Sequence, residues 1–360
     1  MKKSIILITA FALISLASAS AQVKYHDASF LPVFGKASDA MENRYERLPD
    51  ALDSVSRPPV VHLGKHAAGI YLRFKSNSSC IHARWKSTFF ERMHHMADTG
   101  VRGLDLYILT DGGWRFAGTA FPSNEPQNEN KLIRNMERKD REYMLYLSLY
   151  DGVSDLEIGV DEDTTLEARE IDSPRAGKQI VMYGTSILQG GCCSRPGMAF
   201  TNIIGRKLNR EVINLGFSGN GQLDLEIAEL MASVENPSIY VLDNVPNCTP
   251  EQIREKGEAF FRILRDAHPD VPIIFIDDPY FAHYEFDDRI RNEVDSRNEA
   301  EAELFHRLKK AGEKNIWYIQ KKHTVGTDNE PFVDGVHYTD LGMMRYADFI
   351  LPKIRRHMLK

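Results

Sequence analysis

The sequence predicts two parts: an N-terminal antiparallel β-sandwich, then an α/β domain built on a five-stranded parallel sheet with helices on both faces. Three observations carry this expectation. From about residue 59 to 170 the hydrophobic period is two, as in half-buried strands. After Ser173-Pro174 short apolar strands alternate with segments of helical spacing. A chain of 360 residues also has the length of roughly two domains, each able to bury its own core. The composition agrees, with 42% hydrophobic and 27% charged residues, which excludes disordered, collagen-like and coiled-coil architectures.

The first segment is expected to lie outside the fold. Lys2 and Lys3 precede an almost unbroken apolar stretch from Ile5 to Ala17, and Ala19-Ser20-Ala21 supplies small residues before Gln22. That layout is a secretory signal peptide over residues 1–21, too short in its apolar part to be a stable membrane-spanning helix. No Cys follows the cleavage site, so no lipid anchor is expected, and the mature protein is expected in the periplasm or outside the cell.

Residues 22–174 are read as the sandwich. Ile70, Leu72 and Phe74 alternate with Tyr71, Arg73 and Lys75, and Ile81, Ala83 and Trp85 with His82, Arg84 and Lys86. Leu104, Leu106 and Ile108 lead through Asp111-Gly112 to Trp114 and Phe116, which predicts a hairpin. The same signal predicts a second hairpin, from Leu145, Leu147 and Leu149 through Asp151-Gly152 to Leu156, Ile158 and Val160.

Residues 178–360 are read as the α/β domain. Strands are expected at 178–183, 212–215, 239–242, 273–276 and 316–319. Helices are expected at 198–208, 225–234, from Pro250, at 289–310 and at 341–354. Repeated strand–helix units imply parallel strands covered on both faces, with the functional site at their carboxyl ends.

Charge and cysteine content narrow the chemistry. Lys plus Arg number 45 against 51 Asp plus Glu, a net charge of −6, which argues against nucleic-acid binding and a polybasic membrane contact. Cys80, Cys192, Cys193 and Cys248 are too few for a disulfide scaffold, and adjacent Cys192 and Cys193 are poorly placed to bond each other. Pairing of one of them with Cys248 and four free thiols both stay open. CxxC and HExxH spacings do not occur, so no zinc site is expected.

The expected strand ends hold the informative residues. The first runs into Gly184-Thr185-Ser186, where a Gly-rich strand-to-helix turn can present a serine hydroxyl beside a helix amino end. The GxSxG elbow is absent, since position 188 is Leu. The second runs into Gly216-Phe217-Ser218-Gly219-Asn220-Gly221, a turn that allows close backbone approach but lacks the Lys-Ser/Thr of a phosphate loop. The third runs into Asp243-Asn244-Val245-Pro246-Asn247, where an Asn amide can face a reacting carbonyl or cap the helix from Pro250. Before the last helix stands Asp334-Gly335-Val336-His337, a spacing that lets the carboxylate orient the imidazole. Each block alone has a plain structural explanation; a serine turn and an Asp-x-x-His turn together point to nucleophilic catalysis.

In this order the blocks resemble the SGNH (GDSL-type) hydrolase family over roughly residues 178–357. Gly103-Leu104-Asp105-Leu106-Tyr107 likewise resembles the Gly-x-Asp-Leu-Tyr signature of the N-terminal β-domain found in an exported bacterial subgroup. The resemblance implies a three-layer α/β/α sandwich with a five-stranded parallel sheet. It also implies Ser186 as nucleophile, His337 as general base and Asp334 as its orienting partner. The oxyanion hole would be the Ser186 and Gly219 backbone N–H groups with the Asn247 side chain. Thr185 stands where the family usually has Asp. Asn244 is a rival to Asn247, which is preferred because that subgroup tends to carry Pro-Asn there. The chemistry implied is ester hydrolysis through an acyl-enzyme, without metal or organic cofactor.

Substrate expectations follow. Export and a second β-domain fit removal of O-acetyl groups from carbohydrates. A lipase- or thioesterase-like hydrolase of longer acyl chains is an alternative, as is a catalytically inactive glycan-binding protein. Trp85 and Trp114 are available for sugar stacking or for the core. The polar segment from Arg92 to Asp98 is placed near the site mouth, with adjacent His94 and His95 not expected to bind metal. The short connection after residue 170 predicts that the two parts pack directly.

Overall fold

The computed structural model describes residues 22–168 and 177–360. The expected leader and the Ser173-Pro174 connection lie outside the described residues.

The N-terminal half contains β1 (Val23–Asp27), β2 (Val33–Phe34), α1 (Pro58–Gly64), β3 (Tyr71–Ser76), β4 (Ile81–Ser87), α2 (Asp98–Val101), β5 (Leu104–Thr110), β6 (Gly113–Ala120), β7 (Gln127–Ile133), β8 (Arg141–Tyr146), β9 (Val153–Asp161) and β10 (Leu166–Ala168). One sheet has the order β1-β9-β4-β7, the other β10-β3-β8-β5-β6 with β2 on β3. All these pairings are antiparallel. Alternation does the sorting in β4: Ile81, Ala83 and Trp85 are buried while Lys86 is exposed. They meet Leu72, Phe74, Leu104, Leu106 and Leu145 of the other sheet in one apolar core. Trp85 is thus a core residue, with its Nε1 donating to the Arg102 carbonyl at 3.1 Å.

The hairpin through Asp111-Gly112 forms as expected, as β5 and β6. The one expected through Asp151-Gly152 does not. β8 pairs with β3 and β5, whereas β9 pairs with β1 and β4, so this turn carries the chain between sheets. The cause is that Leu147 and Leu149 are fully buried beyond the end of β8. Asp151 stays in the turn by accepting the Phe89 and Glu91 amides at 2.9 and 2.7 Å. Period-two alternation fixes which face is buried and leaves the partner strand open.

The C-terminal half runs β11 (Gln179–Gly184), α3 (Ser186–Gln189), α4 (Phe200–Leu208), β12 (Val212–Gly216), α5 (Leu225–Ala232), β13 (Pro237–Asp243), α6 (Pro250–Ala267), β14 (Ile273–Ile276), α7 (Asp288–Lys310), β15 (Ile316–Ile319) and α8 (Asp340–His357). The sheet order is β12-β11-β13-β14-β15, and all pairs are parallel. On one face Val181, Tyr183, Leu242 and Phe275 pack under α5, α6 and α7. On the other Ile180, Met182, Val241 and Ile274 pack under α4 and α8. This is the expected three-layer α/β/α arrangement. The chain leaves β11 toward β12 on one side and returns to β13 on the other, so the carboxyl end of β11 is the switch point.

The two halves share surfaces. Leu48, Val60 and Leu63 enter the core beneath α5 and α6. Arg47, 1% exposed, donates to the carbonyls of Asn214 and Gly216 at 3.1 and 2.7 Å, at the end of β12. Asp105, fully buried, accepts from Arg195 at 2.6 Å, the Gly197 amide at 2.9 Å and Thr119 at 2.6 Å. Tyr107 accepts from the same Arg195 nitrogen at 2.7 Å and lies under the Arg206 guanidinium. Tyr71, which alternates with core residues as a solvent face would, lies against Asn202 and Val212 and is covered as well, whereas Arg73 is buried against Glu142 and Trp114 of its own half.

Candidate active site

Ser186 is placed by the tight end of β11. Thr185 has extended backbone and caps α3, its Oγ1 accepting the Ile187 amide at 3.3 Å. The neighbouring strand end must come close: a Cβ on Gly216 would lie 2.3 Å from the Gln189 nitrogen. The Ser186 carbonyl accepts the amides of Gly190 and Gly191 at 3.0 and 2.7 Å, and the Tyr150 hydroxyl of the N-terminal half at 3.3 Å. Ser186 itself is 8% exposed.

His337 arrives from the turn before α8. Asp334 Oδ1 accepts the Val336 and His337 amides at 3.0 and 2.8 Å, an Asx-type turn completed by Gly335 at φ +88°. Asp334 Oδ2 meets His337 Nδ1 at 2.7 Å, and His337 Nε2 meets Ser186 Oγ at 2.9 Å. Facing a carboxylate, Nδ1 carries the ring proton, which leaves the Nε2 lone pair for the serine hydroxyl. Burial opposes ionisation of Asp334. The hydrogen bonds from the His337 amide, the His337 ring and the Val336 amide outweigh it, and its pKa falls to about 2.

Ser186, Gly219, Asn247 and His337 line one cavity of about 360 Å³. Gly219 has φ +69°, a left-handed conformation that favours glycine. Asn247 Oδ1 accepts the Gly221 amide at 3.2 Å, which turns the amide group so that its NH₂ side is free of that bond. Asn244 is 1% exposed and spends its Nδ2 on Cys248 Sγ at 3.4 Å, away from the cavity lining. All five residues singled out in the sequence are therefore brought together, and the rival Asn is not.

Several lining residues carried no local signal. Phe281, His283, Ile290, Glu293 and Arg297 form the far wall. Arg297 is steered by Asp278, which lies 2.7 Å from its Nε. The Arg92–Asp98 segment does reach the site: the His95 ring centroid is 5.7 Å from that of His337. All four cysteines are free and buried.

A second cluster, His62, His66 and Glu91, has its donor atoms within 4.8 Å of one another. Gln189 already bonds one of its donors. Its Oε1 accepts the Ser218 amide and its Nε2 donates to the Leu149 carbonyl, so Nε2 also donates to His66 Nδ1 at 3.3 Å. His66, kept neutral by burial, then carries its proton on Nε2 and has no lone pair left.

Comparison with known proteins matches residues 177–355 to the GDSL-like Lipase/Acylhydrolase family and residues 23–166 to the GxDLY N-terminus of SGNH-hydrolase-type esterases. A Bacteroides ovatus protein assigned as a GDSL-like lipase is 36% identical, with TM-score 0.89 over 94% of this chain and 99% of its own. Salicylyl-acyltransferase SsfX3 from a tetracycline biosynthetic pathway is 18% identical, with TM-score 0.72 over 93% of this chain and 96% of its own. A family two carbohydrate esterase from Clostridium thermocellum, solved with cellohexaose, is 13% identical, with TM-score 0.56 over 80% and 92%. The latter two share the fold. The search of curated proteins gives no match.

Proposed function

Because the chain belongs to the GDSL-like lipase/acylhydrolase family, with the GxDLY N-terminus of SGNH-type esterases, we propose that it is a serine esterase removing O-acetyl groups from carbohydrates. The observation that carries this reading is the continuous relay Asp334–His337–Ser186 opening on a cavity that also holds Gly219 and Asn247.

The steps follow from the atoms. His337 Nε2 takes the Ser186 hydroxyl proton as Oγ attacks the ester carbon. Asp334 stabilises the resulting imidazolium and holds the ring. The oxyanion is met by the Ser186 and Gly219 N–H groups and the Asn247 NH₂, each donor worth about 3–4 kcal/mol at the transition state. The imidazolium returns its proton to the leaving alcohol, water enters with His337 again as base, and the acid and free Ser186 are released.

The sugar side of the proposal is supported by the cavity wall. Glu293, Arg297 and His283 offer donors and acceptors to hydroxyl groups, and Phe281 offers a ring for stacking. The family two carbohydrate esterase solved with cellohexaose shares this fold. Export through the leader at residues 1–21 belongs to the same proposal. The test is acetate release from acetylated polysaccharides, together with a p-nitrophenyl ester series of rising chain length. Acetate release with a sharp preference for the C2 ester is expected. A preference for long chains would favour the lipase-like alternative. No turnover of any ester would favour a glycan-binding role.

A further inference from the structure

Beside the relay, His95, Cys192 and His337 place one nitrogen or sulfur donor each within 4.8 Å of one another. They come from three distant stretches: the loop between β4 and α2, the turn after α3, and the turn before α8. His95 Nδ1 is buried and has no hydrogen-bond partner. Cys192 is a free thiol, 8% exposed, held at φ +67°, where a non-glycine residue is strained. Both His337 nitrogens are in use, Nδ1 on Asp334 and Nε2 on Ser186.

We propose that these three side chains bind a thiophilic divalent cation, with zinc as the probe, and that its binding reversibly switches the esterase off. Two imidazoles and one thiolate are a donor set that zinc takes tetrahedrally, with water in the fourth position. Ligand atoms around zinc lie roughly 3.3–3.7 Å apart, so donors already within 4.8 Å of one another need close by no more than about 1.5 Å on loading. The Zn–S bond forms as the Cys192 thiol proton passes to solvent. His337 has no idle nitrogen to give. Whichever one coordinates the metal, the ring loses either Ser186 or Asp334, and proton transfer stops. The inhibition arm rests on the reading of His337 as the base; the binding arm does not.

The test uses the full mature chain. Zinc titration of p-nitrophenyl acetate hydrolysis should show inhibition that EDTA reverses. Cys192→Ser and His95→Gln should keep the metal-free rate within about twofold and raise the half-inhibiting zinc concentration at least about tenfold. Cobalt added to the wild type or to Ser186→Ala should give a thiolate-to-metal absorption band that Cys192→Ser lacks. If Cys192→Ser does not fold, the His95→Gln titration decides by itself. Unchanged zinc sensitivity in the folded variants, or no Cys192-dependent cobalt band, overturns the site. A band without inhibition leaves the metal site standing and sinks the role given to His337.

Discussion

Asp334 shows how three residues of sequence set a side chain's chemistry. Its carboxylate is tied by two backbone amides and one imidazole, so it stays charged down to about pH 2. A carboxylate with a lowered pKa adds stability that is present above its unfolded value of 3.8 and lost as pH falls toward 2. Asp334→Asn should therefore melt lower than the wild type at pH 6, and the gap should narrow below pH 4; a scanning-fluorimetry series over that range checks it. The nucleophile and the oxyanion donor give a kinetic prediction. Ser186→Ala should lower acetyl-ester kcat by about 10³-fold or more, and Asn247→Ala by about 10²-fold to 10³-fold, with both variants folded by circular dichroism. These residues were legible because each acts within a few positions of a strand end or of its own partner. The Arg92–Asp98 segment was placed near the site mouth, but the meeting of His95 with Cys192 and the place of Arg297 in the cavity wall were not legible, since only the folded chain brings these distant stretches beside His337.

Among elements, the α/β half was read nearly strand for strand, because each βα unit carries its apolar run and its breaker in adjacent residues. Pro250 and the reciprocal Thr249–Gln252 cap that opens α6 are an example. The sandwich was read less well. Six of its ten described strands were named and β1, β2, β7 and β10 were not; the pairing of β8 and β9 was also missed, because a DG turn looks the same whether it joins neighbours or crosses between sheets. The outer face of β3 and β8 was also misleading: Tyr71, Arg73 and Tyr146 look like a solvent face and are buried. The strand β5 contributes a measurable link. Arg195→Met leaves the Asp105 carboxylate fully buried without its cation, and removing one partner of such a pair costs about 3–5 kcal/mol. Urea unfolding of the variant should show that loss, and Asp105→Asn combined with Arg195→Met should lose less than the sum of the two singles.

On the scale of the whole molecule, neither half is finished alone. Leu48, Val60 and Leu63 cover α5 and α6, and Tyr150 holds the carbonyl of Ser186. Residues 178–360 expressed alone should thus expose apolar surface, giving low soluble yield and reduced kcat/KM on acetyl esters relative to the mature chain. Comparing yield and kcat/KM of the two forms checks this; equal values would make the sandwich an independent appendage. The two bridging arginines also differ in how they constrain descent. Arg47 grips main-chain oxygens of β12, a target that every amino acid presents, so that strand is free to drift without loosening the hold. Arg195 grips the side chain of Asp105, which only an acid can replace. A chimera that joins halves from two diverged lineages inherits the first contact automatically, but keeps the second only when acid and cation travel together.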